Sequence, residues 1–290
     1  MSERSQAHAA QARADLERAV AALRDSDAWR RNLAVLARFH KYSFHNQLLI
    51  GCQMPDASYV RGFKSWLDAG RAVRKGEKGI RIFAPRPWQR AASDDADTDQ
   101  IERGVSFAIV HVFDVSQTDP IPGHPHPWQP PVLHEAAGDP ALAWSLWEAM
   151  LTHAATLTLS VSTAADAPYA QPGTYGYFHH ASQTIWIHPE RDRADMAATL
   201  AHELAHAVTH EAAASMTRDV REVIAESVAY AVCSRFGLDL TLRSVDYVAG
   251  WLDDPAAFRI GMAAIHDGAA SLIDALEAAM TDACEFDLAA

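Results

Sequence analysis

The residues with the clearest chemical meaning are His202, Glu203 and His206, which belong to the pentapeptide His-Glu-Leu-Ala-His. The stretch from Met196 to Ala214 has apolar residues at helical spacing, so the pentapeptide is predicted to lie on a helix. Positions four apart share one face of a helix, about 5–6 Å apart at Cβ, so both imidazoles can bind one metal ion. Zn²⁺ suits this pair, with Mn²⁺ or another divalent ion as the alternative. Glu203 is the candidate catalytic base for the water.

A hydrolytic zinc site also needs a third protein ligand and one open position. The stretch from Arg218 to Arg235 is predicted to form a second helix, with Glu222 and Glu226 on one face. A buried apolar helix has little structural reason to carry two carboxylates there, although a solvated stripe shared with arginines is the alternative. Either glutamate is therefore a candidate ligand. His210 is not expected to join the site, because it lies about 12 Å along the helix from His202.

The composition limits the class of protein. A chain of 290 residues is long enough for two domains, and a hydrophobic content of 49% excludes wholesale disorder. We find neither a secretory leader nor an apolar run long enough to cross a bilayer, so we expect a cytoplasmic protein with no membrane partner. The 3 cysteines are far apart, which argues against a disulfide framework and against a thiolate zinc site.

Two domains are predicted, with an α+β fold. Residues 117–140 contain seven prolines, which hold a chain extended, so this segment is predicted to be a linker. The N-terminal domain then covers residues 1–116, with helices followed by a small sheet, and the C-terminal domain covers residues 141–290. In the first sheet, residues 71–74 and 80–84 are predicted to form a hairpin, which residues 105–115 join later.

A strand pair is also predicted from residues 173–177 and 184–188, just before the predicted helix that carries His202 and His206, which we call the metal helix. Such a pair either edges the substrate cleft or forms a plain surface hairpin. In the first case it brings four polar side chains near the metal. These are Tyr175, Tyr177, His179 and His180.

The charge distribution points to an anionic partner for the first domain. The formal net charge is −12, yet residues 29–90 hold 13 Lys and Arg against 3 Asp and Glu. Cations interleaved with aromatic residues are typical of single-stranded nucleic-acid binding. The alternative is that the aromatic rings form a core and the charges coat a small sheet. The candidate DNA contacts are Lys64, Trp66, Arg71, Arg74, Lys75, Lys78 and Arg81.

Two resemblances add to this interpretation. The arrangement of Glu222, Ala225, Glu226 and Ala229 resembles the third-ligand motif of the glutamate-zincins, which implies that Glu222 is the ligand and that Glu226 orients an imidazole. The runs YSFHNQLLI, FKSWLDAGRAVRKGEKGIRIFAP and VHVFDVSQT resemble the N-terminal single-stranded-DNA-binding domain of ArdC-type antirestriction proteins. HELAH and REVIAESVAY, followed by Tyr247 and Trp251, are similar to their C-terminal zincin-like domain, which is related to the ImmA/IrrE metallopeptidases.

The resemblance implies a bacterial protein that binds single-stranded DNA and protects incoming DNA against restriction. It also implies a zinc-dependent metallopeptidase domain that hydrolyses peptide bonds of a protein target, with Glu203 as the general base. The alternative function is a DNA-binding protector in which the metal domain is structural or catalytically inactive.

Overall fold

The computed structural model describes residues 3–23, 25–91, 101–125, 127–128, 140–165, 167–170, 173–238, 240 and 254–287. In these ranges the helices, numbered α1 to α8, are Glu3–Ala22, Ser26–Phe39, Phe44–Gln53, Phe63–Asp68, Pro140–Thr156, Arg193–Thr209, Arg218–Arg235 and Pro255–Asp287. The strands, β1 to β8, are Val60–Gly62, Arg71–Val73, Ile80–Ala91, Ile101–Asp114, Thr118–Pro120, Ser160–Ser162, Gly176–His179 and Thr184–Ile187. The predicted α+β class is confirmed. None of the described helices has an apolar stretch of the length needed to span a bilayer.

The chain divides into two compact units. Unit 1 contains Met1–Ala21 and His45–Pro130, and unit 2 contains Ala22–Phe44 and Pro131–Ala290. Unit 2 therefore includes α2, which the sequence placed with the N-terminal domain. This helix packs its apolar stripe on α7 and α8. An apolar stripe predicts that a helix packs against another element, but it does not predict which element that is. The predicted domain boundaries at residues 116 and 140 stay a prediction.

Unit 1 is built on two small antiparallel sheets with the strand orders β1-β4-β3 and β2-β5. The prediction of a hairpin from residues 71–74 and 80–84 is wrong. Strand β2 pairs with β5, with Val73 opposite Thr118, whereas β3 pairs with β4. The two long strands stay in register from Ile80 opposite Val112 to the far end of β3. This pairing satisfies the backbone groups of a twelve-residue strand, which the three-residue β2 cannot do.

Unit 2 combines a three-stranded sheet with packed helices. In the sheet order β6-β8-β7, β6 runs parallel and β7 antiparallel to the central strand, so β7 is an edge strand in the described part of the chain. The predicted strand pair before the metal helix is thus present. Gly176 begins β7, where a Cβ atom would lie 2.6 Å from Thr199 Cγ2 of α6 and 3.0 Å from the carbonyl oxygen of Trp186. The missing side chain lets β7 lie directly against α6.

Helices α6 and α7 are the elements that position the chemistry. Each has a side-chain N-cap: Asp192 accepts a hydrogen bond from the backbone N–H of Asp195, and Thr217 accepts one from Val220. The two helices pack on each other and on α5 and α8. Their apolar faces are fully buried, which fixes the rotation of both helices. The buried residues include Leu200, Leu204, Ile224 and Val228.

Candidate metal centre

Helix α6 brings His202 and His206 together as the spacing predicts. Their Nε2 atoms are 3.1 Å apart, and the two rings are perpendicular, with an interplanar angle of 88°. Both side chains are mostly buried. The opposite face of the helix packs into the core through Leu204 and its apolar neighbours, so the two rings lie at the surface of a cleft.

Glu222 of α7 completes a group of three side chains that each offer one ligand atom to a metal ion, and we call these three side chains the donors. Its Oε2 atom lies 3.5 Å from His202 Nε2 and 3.4 Å from His206 Nε2. A tetrahedral ion with bonds of about 2.0–2.1 Å holds its ligand atoms about 3.3–3.4 Å apart. The three observed distances match the edges of such a tetrahedron. The side chains therefore fit a divalent ion, with three protein donors and one coordination position left for another group.

Glu226, the alternative ligand, lies one turn further along α7. It lines the cleft, and its charge is close enough to raise the pKa of His202. The group of donors within 4.8 Å of one another consists of His202, His206 and Glu222, without Glu226. This geometry favours Glu222 as ligand and leaves Glu226 in a supporting position, in line with the zincin resemblance.

Glu203 points to the cleft floor beside the two imidazoles and is buried, with 7% of its surface exposed. Burial raises the pKa of its carboxyl group, while the neighbouring imidazoles and a backbone hydrogen bond from Phe178 of β7 act in the opposite direction. The bond from Phe178 fixes the carboxylate against the edge strand. Glu203 is thus held next to the donor group without being part of it.

The three donors also stabilise one another electrostatically. The hydrogen bonds from His202 and His206 hold the pKa of the Glu222 carboxyl far below its usual range. Burial lowers the pKa of His202, but the bond to Glu222 and the charges of Glu203 and Glu226 outweigh it, so the net shift is upward. A carboxylate that stays ionised among imidazoles is the form that binds a cation.

The cleft beside this centre has two halves, which share Gly176, His202, Glu203 and Glu222. We call them the acidic half, of about 470 Å³, and the basic half, of about 490 Å³. The further polar residues of the acidic half are Thr174, Tyr175, Arg191, Asp195, Thr199 and Glu226. Those of the basic half are Tyr177, His180, His206, Thr209, His210, Arg218 and Arg221.

The strand-pair residues are placed as follows. Tyr175 lines the acidic half, and Tyr177 and His180 line the basic half. The ring of His179 instead stacks on Tyr169, with the centroids 4.5 Å apart. The sequence missed His210 as a cleft residue: its ring stacks on His180 at 3.8 Å. Spacing along one helix cannot predict a partner that comes from another element.

A second group of ligand types lies elsewhere in unit 2. It consists of His40, Asp274 and Glu277. Asp274 is 3.2 Å from His40 and 3.6 Å from Lys41, and Glu277 is paired with Arg235. Because both carboxylates already have cationic partners, this group is an ion-pair network between helices.

In unit 1, the predicted DNA contacts divide into buried and exposed residues. Trp66 has no exposed surface, and its indole N–H donates to the carbonyl oxygen of Phe113. Arg71 is also buried and donates to Thr118 and to the carbonyl oxygen of Trp128. A ring or guanidinium enclosed in this way cannot reach a base or a phosphate. The structure therefore does not fit the predicted role of these two residues as DNA contacts.

Two further arginines are held by carboxylates. Arg74 is paired with Glu77 and Asp119, and Arg81 with Asp15. Three lysines are exposed and take part in no ion pair in the described part of the chain. These are Lys64, Lys75 and Lys78.

The long hairpin of β3 and β4 carries exposed aromatic residues that the sequence pattern did not reveal. Trp88 is 43% exposed and Phe107 is 68% exposed. Gly104 lies opposite Trp88, and its lack of a side chain leaves room for the indole. A glycine paired with a tryptophan on the neighbouring strand can indicate where the indole lies, but only once the register of the two strands is known.

The fold and the site together define a two-unit α+β protein whose second unit has a metallopeptidase-like fold. A family model for the N-terminal domain of anti-restriction factor ArdC matches residues 10–114. A model for the IrrE N-terminal-like domain matches residues 167–233. The two matches support an ArdC-type two-domain organisation, in which an ArdC-type N-terminal domain is followed by an IrrE-like domain. Tyr247 and Trp251, which contribute to the resemblance in sequence, lie outside the described residues.

Individual relatives are distant. An uncharacterized protein of Bacillus anthracis, pXO2-81, is 24% identical over 286 residues, which is 83% of this chain and 46% of the relative. The chain thus spans about half the length of that curated relative. The metal-free crystal structure of the antirestriction ArdC protein from plasmid R388 has a TM-score of 0.52 and 22% identity, covering 82% of this chain and 85% of that one. The Mn(II)-bound structure has a TM-score of 0.43 at 22% identity, covering 81% and 87%.

Proposed function

We propose that unit 2 is a zinc-dependent metallopeptidase that hydrolyses peptide bonds of a protein target. The observation that carries this proposal is the convergence of His202, His206 and Glu222, whose donor atoms are 3.1–3.5 Å apart. A buried carboxylate, Glu203, lies beside them at the junction of the two cleft halves. Three donors, a base and an open cleft are the parts that a hydrolytic metal site requires.

The roles of the side chains follow from their positions. A divalent ion bound to the three donors would lower the pKa of a coordinated water toward ~7 and polarise the scissile carbonyl. Glu203, fixed by Phe178, accepts the proton of the attacking water and delivers it to the leaving amine. The edge strand β7 borders the cleft, so an extended peptide can pair with it and present its carbonyl to Glu203.

The experiment is a comparison of the wild-type protein with Glu203→Gln, both loaded with zinc, on mixtures of fluorogenic peptides. We expect the variant to keep its metal, because Glu203 is not a donor, and to lose about 10²–10⁴-fold in cleavage rate. Glu148→Gln is the matched control, since it makes the same change on the exposed side of α5. Unchanged cleavage by Glu203→Gln would contradict the proposed role.

We further propose that unit 1 binds single-stranded DNA, and that the protein acts in the bacterial cytoplasm in protecting incoming DNA against restriction. The match to the N-terminal domain of anti-restriction factor ArdC supports this. The structure supports it through the three exposed lysines and through the exposed rings of Trp88 and Phe107. Free cations supply phosphate affinity, and exposed rings supply base stacking of about 1–3 kcal/mol per base.

The DNA proposal is tested by titrating labelled oligothymidylate and a duplex of equal length at two salt concentrations. We expect tighter binding of the single strand, with an affinity that falls as salt rises. Trp88→Ala is expected to weaken single-strand binding without changing the salt dependence, because it removes a stacking platform and no charge. Equal binding of duplex and single strand would contradict the proposed specificity.

A further inference from the structure

The two halves of the cleft differ in charge. In the acidic half, the carboxylates beyond the shared residues are Asp195 and Glu226. Asp195 is paired with Arg191, which also lines that half. In the basic half, none of the described residues beyond the shared ones contributes a carboxylate. Arg218 and Arg221 line it instead, together with the imidazoles of His180, His206 and His210.

The two arginines are suited to bind a ligand. They lie three positions apart on α7, so their side chains extend from the same side of the helix. Neither takes part in an ion pair within the described ranges. The stacked rings of His180 and His210 line the same cavity. The free guanidinium groups and the ring N–H groups are hydrogen-bond donors, and the shared Glu203 and Glu222 are the acceptors at its inner end.

A guanidinium group binds a carboxylate through two parallel hydrogen bonds, which is stronger and more specific than an amide contact. The basic half is lined by the shared residues Glu203 and Glu222, and also by Tyr177 and Phe178 of the edge strand β7. A side chain of a peptide paired with that strand can therefore enter the cavity that the two arginines line.

We propose that the basic half is a specificity pocket for an acidic side chain, Asp or Glu, located on one side of the scissile bond of the peptide substrate. This inference rests on the proposed peptidase function. A peptide carboxylate fits better than a nucleic-acid backbone, because a polyanion that runs through the cleft would also meet Glu203, Glu222 and Glu226. A peptide brings a single negative charge to the basic half and a neutral backbone to the metal centre.

The test measures peptide binding, so that it does not depend on turnover. The full chain carrying Glu203→Gln is loaded with zinc and titrated with four peptide mixtures that differ only at one fixed position: Glu, Gln, Lys or Leu. We expect the Glu mixture to bind about tenfold or more tightly than the Gln mixture. Adding Arg218→Gln and Arg221→Gln is expected to bring this ratio close to one. Arg259→Gln, on the exposed side of α8, is the matched control and is expected to keep it.

Several results would overturn the pocket: equal binding of the Glu and Gln mixtures, binding of none of the four, or a ratio that persists without the two arginines. Loss of oligothymidylate binding on removal of the arginines, with peptide binding unchanged, would assign the basic half to nucleic acid and would also overturn it. Cleavage of the same mixtures by the wild-type protein is measured in parallel. Glu-selective binding that depends on the arginines, without any cleavage, supports the pocket and refutes the peptidase.

Discussion

The candidate metal centre of unit 2 and the candidate DNA contacts of unit 1 were both predicted from residue types and their spacing, but the structure agrees with the two predictions to different degrees. His202, His206 and Glu222 converge with their donor atoms 3.1–3.5 Å apart. Of the seven residues predicted to contact DNA, by contrast, Trp66 and Arg71 are buried, and two arginines are held by carboxylates.

The difference lies in what spacing determines. Four residues along a helix correspond to one direction and one distance, so two histidines at that spacing share a site wherever the helix packs. The interleaving of cations and aromatic rings determines neither direction nor burial, because the tertiary structure decides which ring enters the core. The guanidinium of Arg61, for example, lies 5.3 Å from the ring of Trp66 and 4.9 Å from that of Trp128. It is a packing contact within unit 1.

Truncation of a buried ring is expected to destabilise the protein far more than truncation of an exposed ring. Trp66→Ala removes a fully buried indole and its hydrogen bond to Phe113, so we expect the free energy of unfolding to fall by about 3–5 kcal/mol. Trp88→Ala is expected to cost less than about 1 kcal/mol, because this ring lies at the surface. Urea unfolding followed by circular dichroism measures both. Similar losses for the two variants would show that burial is not what separates core from DNA-binding residues.

A smaller effect is expected where β7 meets the metal helix. Gly176→Ala places a Cβ atom 2.6 Å from Thr199 Cγ2, so we expect a loss of about 1–3 kcal/mol in stability and slower peptide cleavage. Adding Thr199→Ser removes that methyl group and is expected to restore part of both. Thermal unfolding and cleavage assays on the two variants check this. A neutral Gly176→Ala would mean that the contact between strand and helix does not position the cleft.

The smallest effect concerns the exposed lysines. Replacing Lys75 and Lys78 by Gln removes two free cations. The slope of the logarithm of the single-strand binding constant against the logarithm of the salt concentration is therefore expected to become less negative by about 0.7 for each phosphate that is no longer neutralised. Arg74→Gln is the control, because its guanidinium is held by Glu77 and Asp119. DNA titrations at four salt concentrations compare them. An equal change for Arg74→Gln would show that ion pairing does not decide which cations are available to DNA.

Many elements of the fold were predicted from local sequence patterns. The predictions that were wrong or incomplete concerned contacts between residues that are distant in sequence. The α+β class, helices α6 and α7 and the strand pair before them were predicted from periodicity. The pairing of β2 with β5 was not, since β5 lies more than forty residues away, beyond the long hairpin. The same limit applies to α2, whose apolar stripe was clear but whose partners in unit 2 were not.

The candidate site shows this limit at the level of single residues. The pentapeptide predicted His202 and His206 as a pair, because both lie on one helix. Spacing left both Glu222 and Glu226 as candidates, and only the resemblance to the glutamate-zincins favoured Glu222. The rotation of α7 against α6, which follows from the packing of both helices, is what brings Glu222 close to the two imidazoles. The stacking of His180 on His210 joins two elements that no sequence pattern connects.

The most direct test of the proposed donor set is a calorimetric titration of the metal-free protein with zinc, carried out for the wild type, Glu222→Gln and Glu226→Gln. We expect one ion per chain for the wild type. We expect a far greater loss of zinc affinity for Glu222→Gln, which removes a donor, than for Glu226→Gln, for which a loss of about 10–100-fold is expected of a supporting residue. Retention of tight binding by Glu222→Gln, together with its loss in Glu226→Gln, would contradict the donor set.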